Sequence, residues 1–278
     1  MMLPGDFFDL KECGHQELFQ PDAPVWTALD RLQDYLASFF QTSWPLAGRV
    51  GMVEKPLIIV DGKVRDDCDV RPSGPKNTIQ AIHGDSPLED AAIIMPGAYL
   101  FDDKIVMGAG TVVEPGALIK GPTVLGANTE VRQGAYMRGN CLIGNGCVVG
   151  HTTEIKGSIM LDGAKAGHFA YIGDSILGKN VNLGAGTKLA NLKMIPGTIM
   201  ITVNRKYHKT GRRKLGAILG DRTETGCNSV TSPGTLMGPD SLVYSGVSVP
   251  GGYYRARSYV MSSRDSIVIG TNLFGEGA

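Results

Sequence analysis

A strict period of six runs through the middle of this 278-residue chain. Every sixth residue from Met95 to Leu161 is large and apolar: Met95, Phe101, Met107, Val113, Ile119, Leu125, Val131, Met137, Ile143, Val149, Ile155 and Leu161. An amphipathic helix repeats its apolar residues every three or four positions and a half-buried strand every second, so a period of six marks an internal repeat. Four residues after most of these apolar positions stands a small one, as at Thr111, Ala117, Thr123, Thr129, Ala135, Cys141, Cys147 and Thr153. Gly often follows the apolar residue directly, as at Gly108, Gly126, Gly144 and Gly150.

A three-sided coil with one short strand per side meets both rules. The bulky residue of each unit fills the interior, the small one lets the chain pass the corner, and stacked turns bury a continuous apolar column. The repeat slips between Leu161 and Leu177, which lie sixteen residues apart rather than eighteen, and the slip is expected across Lys165–Tyr171. It resumes at Leu219, Thr225, Thr231, Met237, Val243 and Val249, with small residues at Thr223, Ser229, Thr235 and Ser241. About twenty hexads stack into roughly seven coils. The pattern resembles the hexapeptide repeat of left-handed parallel β-helix proteins. The expected fold is therefore all-β, a left-handed parallel β-helix with a small α+β N-terminal extension. The left hand is implied by the resemblance alone, because ordinary parallel crossovers are right-handed.

Three regions follow: an N-terminal extension over 1–90, the β-helix over 91–255 with an inserted loop at 192–217, and a tail over 256–278. In the extension, Leu29, Leu32, Leu36, Phe39 and Phe40 fall at helical spacing within Pro24–Phe40, and Leu57–Val60 before Asp61-Gly62 reads as a strand entering a tight turn. In the insert, Ile199, Ile201 and Val203 alternate ahead of Arg205, Lys206, His208, Lys209, Arg212, Arg213 and Lys214, the pattern of a projecting hairpin or loop with a basic tip. The balance of 27 basic and 27 acidic residues implies no global attraction to nucleic acid or membrane. Five cysteines without a C-x-x-C pair, and an N-terminus lacking the basic-then-apolar pattern of a secretory signal, point to a soluble cytoplasmic protein.

The segment KAGHFAYIGDSILGKNVNLGAGTKLAN, Lys165 to Asn191, resembles the acetyltransferase domain of bifunctional N-acetylglucosamine-1-phosphate uridylyltransferase/glucosamine-1-phosphate acetyltransferases. Arg132-Gln133-Gly134-Ala135 and Glu154-Ile155-Lys156 match that family upstream. The insert with Thr210-Gly211-Arg212-Arg213-Lys214 looks more like related sugar-phosphate nucleotidylyltransferases bearing the same C-terminal domain. The resemblance implies acetyl-CoA, or a related acyl-CoA, as co-substrate and an amino sugar phosphate such as glucosamine-1-phosphate as acceptor. It implies a homotrimer with active sites between neighbours, and no metal.

Acyl transfer from a thioester to an amine needs a proton acceptor and donors for the oxyanion of the tetrahedral intermediate. The resemblance assigns the first role to His168 and the second to the backbone N–H of Ala185. It places Arg132 and Lys156 on the phosphate and Glu154, Tyr171, Asn182 and Asn191 on the sugar. Cys227 and Ser245 fall where the family contacts coenzyme A, whose phosphates Arg212 and Arg213 could also meet. Asn182 reads also as a corner amide, the stretch 205–214 also as a solvated tip, and His151 as a surface residue.

Two departures stand out. Leu192 replaces a family tyrosine, and residues 1–90 show no glycine-rich nucleotide loop, so no nucleotidylyltransferase activity is expected of the chain. A catalytically silent solenoid that binds a sugar nucleotide or scaffolds another enzyme, and a partner of a separate nucleotidylyltransferase, are the alternatives.

Overall fold

The computed structural model describes residues 2–73, 78–203, 206–263 and 266–271. Arg205 of the expected basic tip and 272–278 of the expected tail lie outside these. The repeat region winds as a three-sided parallel β-helix. Face 1 carries Ala92–Ile94, Val112–Val113, Glu130–Val131, Val148–His151, Lys165–His168 and Asn182–Leu183; face 2 carries Tyr99–Leu100, Leu118–Lys120, Tyr136–Arg138, Glu154–Lys156, Tyr171–Gly173 and Lys188–Leu189. Face 3 is a sheet of eight strands from Ile105–Met107 to Gly252–Tyr254, so the described residues hold one coil more than the hexad count suggests. The added strands lie at the ends, where the residues facing inward leave the six-residue phase.

Nine of the twelve ladder residues, Met107 to Ile155, line the interior. The other three do not. Ile94 pairs with Val113, Leu100 with Ile119 and Met160 with Ile143, so these fill the column in place of Met95, Phe101 and Leu161. Phe101 is 51% exposed, and Leu161 faces out from the prism into a separate apolar cluster. The cause is corner length. The chain takes seven residues from Leu100 to Met107 but only five from Ile155 to Met160 and from Ile172 to Leu177. The expected slip at Lys165–Tyr171 is therefore displaced: Met160, Ala166 and Ile172 keep the period of six, and the missing residues lie at the corners of Gly157 and Asp174.

The small residues sit at the corners as their size requires. Thr111, Thr129 and Thr153 are fully buried, and their hydroxyls donate to the carbonyls of Gly126, Gly144 and Ala166 on the next coil. Gly150 shows why glycine recurs: a Cβ there would lie 1.9 Å from the Gly167 carbonyl oxygen one rung up. Burial of each Val, Ile, Leu or Met in the column contributes roughly 1.5–3 kcal/mol, repeated at every rung.

Face 1 is capped at both ends by antiparallel strands, which cover strand edges that would otherwise invite pairing with another chain. Leu57–Val60 pairs with Ala92–Ile94 at one end and Ile267–Thr271 with Ser258–Ser262 at the other, so strand pairing continues beyond residue 255. Leu57–Val60 also turns through Asp61-Gly62, both at positive φ, into Lys63–Arg65. The helix α1, Thr27–Ser38, buries Leu29, Leu32 and Leu36. With Phe7, Phe8, Leu18, Phe19 and Trp26 it covers the outward apolar residues of face 3, including Leu142, Ile159 and Ile176. The insert forms the antiparallel hairpin Met200–Val203/Lys206–Lys209. Among the described residues no helix is long and apolar enough to cross a membrane.

Candidate active site

The corner between faces 1 and 2 stacks the same position of successive coils into a column. Thr152 N–H donates to the Gln133 carbonyl (3.2 Å), Phe169 to His151 (2.9 Å), Gly186 to His168 (2.9 Å), Asn228 to Ala185 (2.7 Å) and Gly246 to Cys227 (2.8 Å). The structure thus brings His168, Ala185, Cys227 and Ser245 onto one edge in that order, with His151 one rung below His168 as its direct register partner. His168 and Cys227 are exposed and Ala185 is half-buried. The His168 ring has no hydrogen-bond or ion-pair partner among the described residues; the His151 Nδ1 meets the Gln133 carbonyl at 3.0 Å.

Phe169 was not singled out by the sequence. It occupies the αL slot that follows each column residue, at φ +54°, where the same slot elsewhere holds Gly134, Thr152, Gly186, Asn228 and Gly246. A bulky aromatic residue is disfavoured there. Its ring is 55% exposed and stands 5.4 Å from His151 and 6.1 Å from His168. The signal was available in the sequence: a large side chain where the corner pattern favours glycine or asparagine.

The remaining candidates divide between the two faces that meet at this edge. Glu154, Lys156 and Tyr171 lie on face 2, with Tyr171 directly above Glu154. Glu154 pairs with Arg138 at 2.7 Å, and Lys156 Nζ with Asp174 at 2.9 Å. Asn191 is buried above that corner, accepts from the Tyr171 hydroxyl at 3.3 Å and donates to Asp174. Arg132 and Asn182 lie on face 1: Arg132 pairs with Glu130 at 2.7 Å, and Asn182 is exposed between its register partners Lys165 and Glu224. The structure does not bring these two onto the face of Lys156 and Asn191. Arg212 lies away from the column, between Asp30 of α1 and Asp174, while Arg213 is exposed. Leu192 is half-exposed and bridges Lys214 at the base of the insert.

Residues 119–264, over half of the chain, match the family model described as the GMPPB C-terminal domain. The chain belongs to the GMPPB C-terminal domain family. The match spans the whole column from Gln133 to Ser245 and leaves out the N-terminal extension. An uncharacterized acetyltransferase, YaiX, of Escherichia coli O6:K15:H31 is 34% identical over 166 residues, covering 58% of this chain and 72% of that protein. The bifunctional sugar-1-phosphate nucleotidylyltransferase/acetyltransferase of Sulfurisphaera tokodaii is 39% identical over 101 residues, 36% of this chain and 25% of that protein. The chain thus spans about a quarter of the length of such bifunctional relatives. Among solved structures, the UDP-N-acetylglucosamine acyltransferase of Campylobacter jejuni covers 64% of this chain and 73% of its own at 15% identity and a TM-score of 0.40.

Proposed function

We propose that the chain is an acyl-CoA-dependent N-acyltransferase, with acetyl-CoA as donor and an amino sugar phosphate such as glucosamine-1-phosphate as acceptor. The observation that carries this reading is the edge column, in which an exposed imidazole without a competing partner among the described residues stands one rung beneath the Gly184-Ala185-Gly186 turn. The acceptor amine attacks the thioester carbonyl, forming the C–N bond, and its proton passes to the free imidazole of His168. The N–H of Ala185 donates to the oxyanion. Collapse breaks the C–S bond, and the imidazolium returns the proton to the coenzyme A thiolate. An imidazole suits this exchange because its ordinary titration range lies near neutral pH.

Lys156 and Arg132 hold the acceptor phosphate, and Glu154, Tyr171, Asn182 and Asn191 its sugar. Because these groups lie on two faces of one edge, a single chain presents Arg132 and Asn182 to one side and Glu154, Lys156, Tyr171 and Asn191 to the other. A homotrimer that packs face 1 of one copy toward face 2 of the next would gather both sets, with Cys227, Ser245 and Arg213 along the coenzyme A. The reaction takes place in the cytoplasm and needs no metal.

Release of free thiol from acetyl-CoA in the presence of a panel of amino sugar phosphates tests the reading. Turnover with one panel member, and its loss in His168→Ala with the circular dichroism spectrum retained, is the expected result. No thiol release with any acceptor, or undiminished turnover in the variant, overturns it.

A further inference from the structure

We propose that Asp174 is a positioning residue through which helix α1 sets the acceptor-binding side chains; this rests on the reading of Lys156, Asn191 and Tyr171 as acceptor ligands. Asp174 is buried, in the αL conformation, at one of the two five-residue corners. Its Oδ2 accepts from Lys156 Nζ at 2.9 Å and from Asn191 Nδ2 at 2.5 Å. A carboxylate only accepts, so the amide of Asn191 must turn its NH2 toward Asp174, and its oxygen is left for the Tyr171 hydroxyl at 3.3 Å. One carboxylate thereby fixes three side chains assigned to the acceptor. The space is closely fitted: a Cβ on Gly173 would lie 2.6 Å from Asn191 Nδ2 and 2.7 Å from the Tyr171 hydroxyl.

The other carboxylate oxygen faces outward from this cluster. Arg212 Nη2 stands 4.0 Å from Asp174 Oδ1, while Arg212 Nη1 bonds Asp30 of α1. Helix and corner both face one cavity of about 290 Å³, lined by Leu29, Asp30, Gln33, Asn140 and Arg212. Arg212 is the group that crosses it. The side chains of Lys156, Asp174 and Arg212 are 18%, 13% and 17% exposed, so their charges are only partly screened by water, and removal of one member leaves a poorly solvated charge unpaired. The series Asp30–Arg212–Asp174–Lys156/Asn191–Tyr171 runs from the extension to the acceptor side chains, and gives the extension a role in acceptor recognition.

The test uses the full chain with acetyl-CoA and glucosamine-1-phosphate, or whichever panel member the thiol-release assay identifies. Asp174→Asn is expected to raise the KM for the acceptor about tenfold while the KM for acetyl-CoA stays within about twofold. Asp30→Asn, a change at a half-exposed carboxylate remote from the acceptor side chains, is expected to raise the same KM about threefold, and to add nothing in the Asp174→Asn background. Equal effects on both KM values, or additivity of the two substitutions, overturn the proposal while the acyltransferase reading stands. An acceptor KM unmoved by Asp30→Asn overturns the link to the helix. Absence of wild-type turnover with every acceptor removes the acyltransferase reading itself, and this proposal with it.

Discussion

His151 and His168 are register partners on adjacent rungs of one edge, and only His151 has a ring nitrogen engaged, its Nδ1 by the Gln133 carbonyl at 3.0 Å. A carbonyl only accepts, so Nδ1 of His151 carries the proton of that bond. The His168 ring is held by no such bond among the described residues and is free to meet a substrate. Alanine at 168 is therefore expected to lower kcat for acyl transfer about 10²–10⁴-fold, the usual share of a positioned base. Glutamine at 151 should change it by no more than a few-fold. Parallel steady-state assays decide; equal losses in the two variants would shift the base assignment from one residue to the pair.

Phe169 holds a backbone conformation that the glycines and the asparagine in the same slot of other coils adopt more easily. Relief of an αL strain of about 1–2 kcal/mol is partly offset by the greater unfolded-state entropy of glycine, about 0.5–1 kcal/mol. Phe169→Gly is thus expected to leave stability unchanged or raise it by up to about 1.5 kcal/mol, measured by urea unfolding. Because the ring stands beside that of His168, with centroids 6.1 Å apart, kcat should fall about tenfold in the same variant. Gain or neutrality in one measurement with loss in the other identifies a residue kept for its site; a loss in both would make Phe169 a packing residue.

The interior was legible because its code is local. One large and one small residue in six suffice to specify a rung, and the units that start at Met107 to Val149 obey it without exception. The ends were misread because corners change length by one residue. Leu100 and Phe101, or Met160 and Leu161, are neighbouring large side chains, and periodicity alone cannot choose which faces in. Pairing decides it. The column of His168 and Ala185 was accessible through a motif, whereas the Asp174 cluster was not: its partners come from positions as distant as Lys156, Asn191 and Arg212, and through Arg212 from Asp30. Apolar residues on the outside of face 3 make sense only once the extension lies over them.

Arg222 and Asp240, both in αL geometry one rung apart, form a two-pronged pair at 2.6 and 2.9 Å. Hydrogen bonds from the guanidinium hold the Asp240 carboxyl below its ordinary range. A depressed folded-state pKa stabilises above the unfolded-state value, near 4, and that contribution fades as pH falls through the folded-state value. The pair is about half exposed, so its contribution is expected at about 0.2–1 kcal/mol. The difference in unfolding free energy between wild type and Arg222→Met should be constant from pH 7 to about 5 and shrink below about 4. A difference that persists unchanged at pH 2.5 would mean that the arginine acts through packing.

Met160 and Leu161 are adjacent in sequence and both buried, yet they serve different bodies of apolar contact. Met160 completes the interior column, while Leu161 joins Phe7, Phe8, Leu18 and Trp26 beneath the extension, which is tied down further where Asp221 N–H donates to the Phe7 carbonyl (2.9 Å) and Asp9 N–H to the Asp221 carboxylate (2.8 Å). A carboxylate placed at either position lacks a partner, a cost of several kcal/mol, but the two should fail differently. Leu161→Asp is expected to loosen the extension and leave the coils stacked, so that trypsin cuts early at Lys11 and Arg31 and the fragment beyond them resists. Met160→Asp breaks the column that every rung shares, and should yield cooperative loss of the β signal and digestion throughout. Time-resolved proteolysis with mass spectrometry separates the two patterns. Identical digestion of both variants would show that the extension and the prism unfold as one unit.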